Sequence, residues 1–290
     1  MTLQTRLRAP LAALVALVLA GCQSAAFGIA NRGVASPDAS AVYDATQGLA
    51  LDIYRPQGAA KAAPVVVFFH GGNWKSGAKA DYRFVGRRLA AIGILAIVAD
   101  YRTFPRTTFP GFVQDGASAV AWSRQHAAAY GGDPARLYVA GHSAGAQIAA
   151  LIGTDRRYLA AHAMRPRDLA GVIGLSGPYD FVIDGGYEEV FGPRPQWPDA
   201  QPVNFVDGDE PPFLLIHGTG DKVVEVRDSQ ELAEKLDQAG VATVLVQLPG
   251  AGHIAPLVAL YRPARDPRVE AAIDAFVHSR RPRRLPHPHR

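Results

Sequence analysis

Residues 139–146 read Val-Ala-Gly-His-Ser-Ala-Gly-Ala, and the reading of Ser143 decides the fold. Residues 137–140 (LYVA) form a short apolar run of strand type, and from Ala144 onward the residues suit a helix (AGAQIAALIG). Gly-x-Ser-x-Gly is short enough to arise by chance, so its surroundings carry the argument. A strand entering and a helix leaving place Ser143 on a sharp turn, which Gly141 and Gly145 leave room to make. The helix beginning just after it adds a positive dipole end.

Outward from this stretch, strand and helix patterns alternate. Strands are expected at 65–69, 94–99, 137–140, 172–175, 213–216 and 243–248, with helices near 81–92, 112–129, 144–153, 228–239 and 268–279. The run VVVFF at 65–69 is continuously apolar, as in a strand covered on both faces. The pattern predicts an α/β fold with a mostly parallel central sheet and helices on both faces. Two runs, 42–46 and 49–54, flank Gln47-Gly48 and read as an antiparallel hairpin at one edge. Residues 177–212 break the alternation with Pro, Gly, Asp and aromatics. Loops of that length in a compact domain are usually functional, so this segment reads as a short cap insertion over the sheet's C-terminal edge.

A serine hydroxyl becomes a useful nucleophile only when a base takes its proton and a third group orients that base. Hydrogen-bond donors must also meet the developing oxyanion. Directly after 65–69 stands His70-Gly-Gly-Asn-Trp74, whose paired glycines can present backbone N–H groups. The amides of Gly72, Asn73 and Ala144 are the candidate oxyanion donors. Gly72 to Lys79 loosely resembles a phosphate-binding loop, but its lysine is one residue late and no Ser or Thr follows. Asp221 stands just past the 213–216 strand in His217-Gly-Thr-Gly-Asp221, with Asp180 and Asp184 in the cap as rivals. His253 follows the 243–248 strand in Pro-Gly-Ala-Gly-His, in a loop before a helix. The catalytic candidates are therefore Ser143, Asp221 and His253. His70 and His142 also ionise, but each sits inside a glycine turn that it is expected to order. Trp74, Phe104 and Tyr179, with Phe181, are weaker candidates for lining a substrate pocket.

The order Ser143, Asp221, His253 is that of α/β-hydrolases. From about residue 40 to 278 the chain resembles that superfamily, and more narrowly bacterial esterases of the carboxylesterase, hormone-sensitive-lipase and kynurenine-formamidase neighbourhood. The resemblance rests on HGGNW (70–74), DYR (100–102), FPGFVQDGASAVAW (109–122), YGGDPARLYVAGHSAGA (130–146), HGTGDKVV (217–224) and PGAGH (249–253). It implies an α/β-hydrolase fold, Ser143, Asp221 and His253 as a triad, and the HGG loop as oxyanion hole. Hormone-sensitive-lipase relatives carry a third glycine where Asn73 stands. Trp74 follows as in the HGGxW motif of formamidases. The expected reaction is hydrolysis of a small-molecule carboxylic ester. Amide, arylformamide or peptide cleavage on the same triad is the alternative, and a catalytically silent binding lipoprotein on this fold is the reading from another class. Asp100, Tyr101 and Arg102 read as an ion-paired brace beneath the site. No cofactor and no metal are expected, since the chain has no His-Glu-x-x-His and a single cysteine.

The ends of the chain carry a separate signal. Arg6 and Arg8 precede ten apolar residues, half of what a membrane-spanning helix needs. Leu19-Ala20-Gly21-Cys22 then resembles a lipobox, with the only cysteine at the acylated position. The expected organisation is a lipoprotein signal peptide at 1–21, a tether at 22–39, a catalytic domain at 40–279 and a basic tail at 280–290. Cys22 would carry a membrane anchor, with the protein on the bacterial envelope; Gln23 leans that placement toward the outer membrane facing the periplasm. With one cysteine no internal disulfide is possible. The formal charge of +4 reflects the ends: without Arg6 and Arg8 it is +2, and without the tail's five arginines −3. No basic face for nucleic acid is expected.

Overall fold

The computed structural model describes residues 27–58 and 62–279. Eight strands form one sheet: β1 (Ala39–Asp44), β2 (Leu49–Tyr54), β3 (Ala63–Phe69), β4 (Leu95–Ala99), β5 (Gly132–His142), β6 (Gly171–Leu175), β7 (Phe213–Gly218) and β8 (Thr243–Leu248). Their order is β1-β2-β4-β3-β5-β6-β7-β8. The hairpin β1–β2 is antiparallel, β2 is antiparallel to β4, and every later pairing is parallel. The helices are α1 (Arg83–Ala91), α2 (Gly111–His126), α3 (Ala144–Thr154), α4 (Arg156–Ala160), α5 (Glu188–Phe191), α6 (Val226–Gln238), α7 (Ala255–Tyr261) and α8 (Pro267–His278). This mostly parallel sheet with helices on both faces is what the strand and helix periods predict, and it has the α/β-hydrolase form that the resemblance implies.

Strand periodicity sorts the core into two layers. Val65, Val67 and Phe69 of β3 face one side with Leu95, Ile97, Leu137 and Val139, and pack against α2, α3 and Leu232 and Leu236 of α6. Val66 and Phe68 face the other side and meet Phe84, Val85 and Leu89 of α1, Leu257 and Leu260 of α7, and Val269 and Ile273 of α8. A strand covered on both faces must be apolar at every position, which is why β3, APVVVFF, shows no alternation after its first two residues.

Three places differ from the sequence-based expectation. β5 is longer than 137–140, because its pairing with β3 extends back to Gly132. Helices α4 and α5 fall where no helical period was visible; each is only one turn or so long. Residues 27–38, read as part of a tether, are docked onto the domain. The Phe27 ring lies 5.0 Å from that of Tyr82, Asn31 Nδ2 donates to the Asp81 carbonyl (2.8 Å), and Arg87 pairs with Asp38. Their small, polar composition hides these specific contacts. The expected signal peptide, Cys22 and the basic tail lie outside the described residues. Among the described residues, no helix is long and apolar enough to cross a membrane.

The cap segment is built from α5 and two 3-10 turns, Arg194–Ala200 and Pro202–Phe205. It sits on the aromatic cluster beside the carboxyl ends of the strands. Phe191 packs edge-on against Trp74 (4.8 Å between centroids) and Phe112 (5.9 Å). Gln147 on α3 ties it down, accepting from Trp74 Nε1 (3.1 Å) and donating to the Ala200 carbonyl (2.8 Å). A glutamine inside the otherwise apolar run AGAQIAALIGT is the sequence signal for that tie.

Candidate active site

Ser143 joins β5 to α3 with φ 54° and ψ −123°, a backbone that L residues rarely adopt. The turn is held by its amide, which donates to the Leu175 carbonyl at 2.9 Å. A Cβ at Gly141 would collide with the Gly145 carbonyl, and one at Gly145 with the Phe69 carbonyl. Both glycines are therefore steric requirements of the turn.

The loop after β3 runs left-handed at three successive residues: Gly72 (φ 123°), Asn73 (φ 55°) and Trp74 (φ 56°). The amides of Lys75 and Ser76 both donate to the Gly72 carbonyl at 3.0 Å, closing the turn. Ala144 is the first residue of α3, so its amide has no acceptor in the helix's own ladder. Asn73, Trp74 and Ser143 line one cavity of about 660 Å³, with Phe181, Tyr187 and Asp228 opposite. Tyr101 and Asp100 brace this loop from below, the Tyr101 hydroxyl donating to the His70 carbonyl (2.8 Å) and Asp100 accepting from the Lys79 amide (2.7 Å). Arg102 forks onto Asp115.

Asp221 and His253 meet across the ends of β7 and β8. His253 Nδ1 donates to Asp221 Oδ2 at 2.8 Å, so Nε2 is the nitrogen left to accept a proton. Asp221 Oδ1 accepts from the amides of Val223 (2.8 Å) and Val224 (3.0 Å). Burial pushes the Asp221 carboxyl up. Hydrogen bonds from His217, His253 and the two amides outweigh it and hold the group well below the usual carboxylate range. Asp221 is therefore a fixed anion beside the imidazole.

His142, the residue before the serine, does not reach the reaction cavity. Its Nε2 donates to the His253 carbonyl at 3.2 Å, while Nδ1 faces the Tyr82 hydroxyl at 3.5 Å; that hydroxyl accepts from the Gly71 amide at 2.9 Å. The glycine loop and the His253 loop are thus joined through two buried side chains. Burial, reinforced by the neighbouring His253 ring, lowers His142 to about 3, so it works as a neutral donor. Burial likewise lowers His70 to about 4.

The candidate pocket residues divide. Trp74 lines the cavity and stacks on Phe181 (5.4 Å). Tyr179 does not line it. Its ring is fully buried against Gly174 and Gly177, where a Cβ on either glycine would strike the hydroxyl. Phe104 does not line it either; its amide donates to the Trp74 carbonyl (2.8 Å), so it holds the loop in place. Asp180 and Asp184 lie on the cavity wall and do not contact His253. The residues that sequence reading missed are His217, Tyr82, Gln147 and Asp228. Among the described residues, no group of three or more His, Cys, Asp or Glu is arranged to hold a metal ion.

Asp228 on α6 is only 7% exposed and lines the same cavity. Burial pushes its carboxyl up to about 7, the Tyr179 amide (3.2 Å) only partly offsetting it. The folded value lies above the ordinary 3.8, so the neutral group's stability is full at acid pH and lost as pH rises through about 7. Asp228→Asn keeps a carbonyl oxygen for Tyr179. It should leave the melting temperature unchanged near pH 4 and stabilise the protein at pH 8, on the order of 2 kcal/mol. Thermal unfolding of both proteins at the two pH values checks this.

The BD-FAE family profile matches residues 51–236. Esterase LipC of Mycobacterium tuberculosis is 32% identical over 225 residues, which cover 70% of this chain and 56% of LipC. A probable isoprenylcysteine alpha-carbonyl methylesterase (ICME) of Oryza sativa subsp. japonica is 32% identical over 228 residues, covering 70% of this chain and 54% of that protein. The chain thus spans about half the length of the curated relatives it matches. Among solved structures, the apo form of Thermogutta terrifontis esterase 2 superposes with a TM-score of 0.68 at 28% identity, over 80% of this chain and 94% of that one. The same esterase phosphonylated by sarin gives 0.69 at 27%, over 83% and 96%. With its strand order, serine elbow and family match, the chain belongs to the BD-FAE family, on an α/β-hydrolase fold.

Proposed function

We propose that the protein is a serine hydrolase of carboxylic esters, with Ser143 as nucleophile, His253 as general base and acid, and Asp221 as its orienting anion. The observation that carries this reading is that Ser143, on its strained elbow, shares one cavity with Asn73 and Trp74 of the left-handed 72–74 turn, while His253, whose carbonyl is bonded by the residue before the serine, has its Nδ1 committed to a buried carboxylate at 2.8 Å. Ser143 Oγ would attack the ester carbonyl as its proton passes to His253 Nε2. The new oxyanion would be met by the amides of Gly72, Asn73 and Ala144. Collapse breaks the bond to the alcohol, which leaves with the proton from His253. Water, deprotonated by the same nitrogen, then releases the acid and restores Ser143.

Two further supports bear on substrate size and reactivity. The Thermogutta esterase has been solved with propionate and with butyrate bound, and phosphonylated by sarin. The aromatic wall of Trp74, Phe181 and Tyr187 suits a compact acyl or alcohol group of similar scale. Incubation with a fluorophosphonate followed by peptide mass spectrometry should place a single adduct on Ser143, lost in Asp221→Asn. Turnover of short-chain p-nitrophenyl esters should exceed that of matched arylformamides. An unlabelled, well-folded protein would instead favour a binding role for this cavity.

We further propose that the enzyme works at the bacterial envelope, anchored through Cys22. The support is the leader itself: two arginines, a ten-residue apolar stretch and Leu-Ala-Gly-Cys with the sole cysteine. Cys22→Ser should move the protein from the membrane fraction or leave its precursor uncleaved; a processed, membrane-bound variant would overturn the anchor.

A further inference from the structure

Asp221 is not engaged by one histidine but by two. Its Oδ2 accepts from His253 Nδ1 at 2.8 Å and faces His217 Nε2 at 3.1 Å. His217 is fully buried at the end of β7, four residues before the aspartate. Its ring has a defined hydrogen-bonding sense. Nε2 faces only acceptors, Asp221 Oδ2 and the Val224 carbonyl at 3.1 Å, so Nε2 carries the proton. In that tautomer Nδ1 accepts from the Ser229 hydroxyl of α6, 2.7 Å away and also fully buried. With the amides of Val223 and Val224 on Oδ1, the carboxylate has four donors and no freedom to rotate.

We propose that His217, backed by Ser229, is a positioning residue that sets both the orientation of Asp221 and the basicity of His253. The inference rests on the Ser143–His253–Asp221 reading above. Its physical content is competition for one oxygen. A carboxylate oxygen that already serves one N–H donor is a weaker acceptor for a second, so the imidazolium of His253 gains less from Asp221 than it would from an unshared anion. The second donor also fixes the torsion that aims Oδ2 at His253. The other titratable groups facing the pair are His142, its ring 4.9 Å from that of His253, and Asp228 on α6, with Asp180 beyond it. Lys222 and Glu225 of the intervening loop are exposed.

His217→Leu removes the donor and keeps an apolar filler, whereas His217→Gln can return an N–H to the position of Nε2. The decisive experiment uses the full chain and two readouts: the pH profile of kcat and KM on p-nitrophenyl acetate, and the His253 ring titration followed by NMR. In His217→Leu, kcat should fall roughly tenfold, about the effect of one net hydrogen bond, with KM little changed. The acid limb of kcat/KM and the His253 midpoint should move together to higher pH, and His217→Gln should restore both. An unmoved limb and midpoint in His217→Leu would reduce His217 to packing and overturn the proposal. If that variant does not fold, Ser229→Ala decides in its place: an upward shift supports the chain and an unmoved midpoint overturns it. The NMR midpoint needs no turnover. Absence of hydrolysis by the unmodified protein would therefore count against the ester reading, while the midpoint still judges His217.

Discussion

Ser143→Ala should lower ester turnover by roughly 10⁴-fold or more while leaving the fold intact. The size of the loss follows from what the hydroxyl is asked to do. Without Oγ no acyl-enzyme can form, and the cavity and its amides can only favour direct attack by water. The small effect on folding follows from the elbow. Alanine has the same Cβ as serine, so the strain at φ 54° is unchanged, and residue 143 is fixed by the hydrogen bond its backbone N–H donates to the Leu175 carbonyl. Stability should stay within about 1 kcal/mol, as for a substitution that makes no cavity and breaks no buried pair. Steady-state rates alongside thermal unfolding test both halves. A variant that kept most of its hydrolysis would remove Ser143 from the mechanism, and the rest of the proposal with it.

The elbow was legible because its constraints are local. A strand, two glycines around a serine and a helix are all written within a dozen residues, and the structure adds only the angles. The sheet was legible for a similar reason: doubly covered strands are continuously apolar, and their helices repeat at a different period. His217 was not legible. A histidine four residues before an aspartate could face anywhere, and its partner Ser229 becomes significant only when α6 packs against the end of β7. His142 reads from sequence as a residue that orders its own turn, whereas its ring reaches the His253 carbonyl, a bond that spans 111 residues of sequence. Tyr179 was misread because an aromatic at the start of a cap suits a pocket wall. The deciding residues were Gly174 and Gly177, whose missing side chains leave the space its ring fills. Cavity-lining Asp228 was invisible too, since a helical aspartate in VRDSQELAEKLDQ looks like part of a solvated face.

Gly145→Ala sets two known effects against each other, and their sizes decide the outcome. Gly145 lies in the first turn of α3, where alanine is the better helix former by about 1 kcal/mol. Its Cβ, however, would run into the Phe69 carbonyl and come within 2.5 Å of the His70 carbonyl. Phe69 ends β3, paired to β4 and β5 on either side, and the His70 carbonyl is held by the Tyr101 hydroxyl, so neither backbone atom can swing away as a side-chain tip would. Relief requires α3 to lift from the sheet or the 70–74 loop to move. An overpacked core site costs about 1–3 kcal/mol when side chains can give, and more when they cannot. The collision should win, leaving the variant at least about 2 kcal/mol less stable. Turnover per folded molecule should fall too, because the displaced atoms lead directly into Gly72 and Asn73. Gly252→Ala is the matched control beside His253, since nothing lies within 4 Å of its added Cβ. Denaturant midpoints and p-nitrophenyl ester kinetics for the two variants separate the cases. A Gly145→Ala protein with unchanged midpoint and rate would mean that α3 and β3 are less closely seated than the elbow requires, and the positioning of Ser143 would then need another cause.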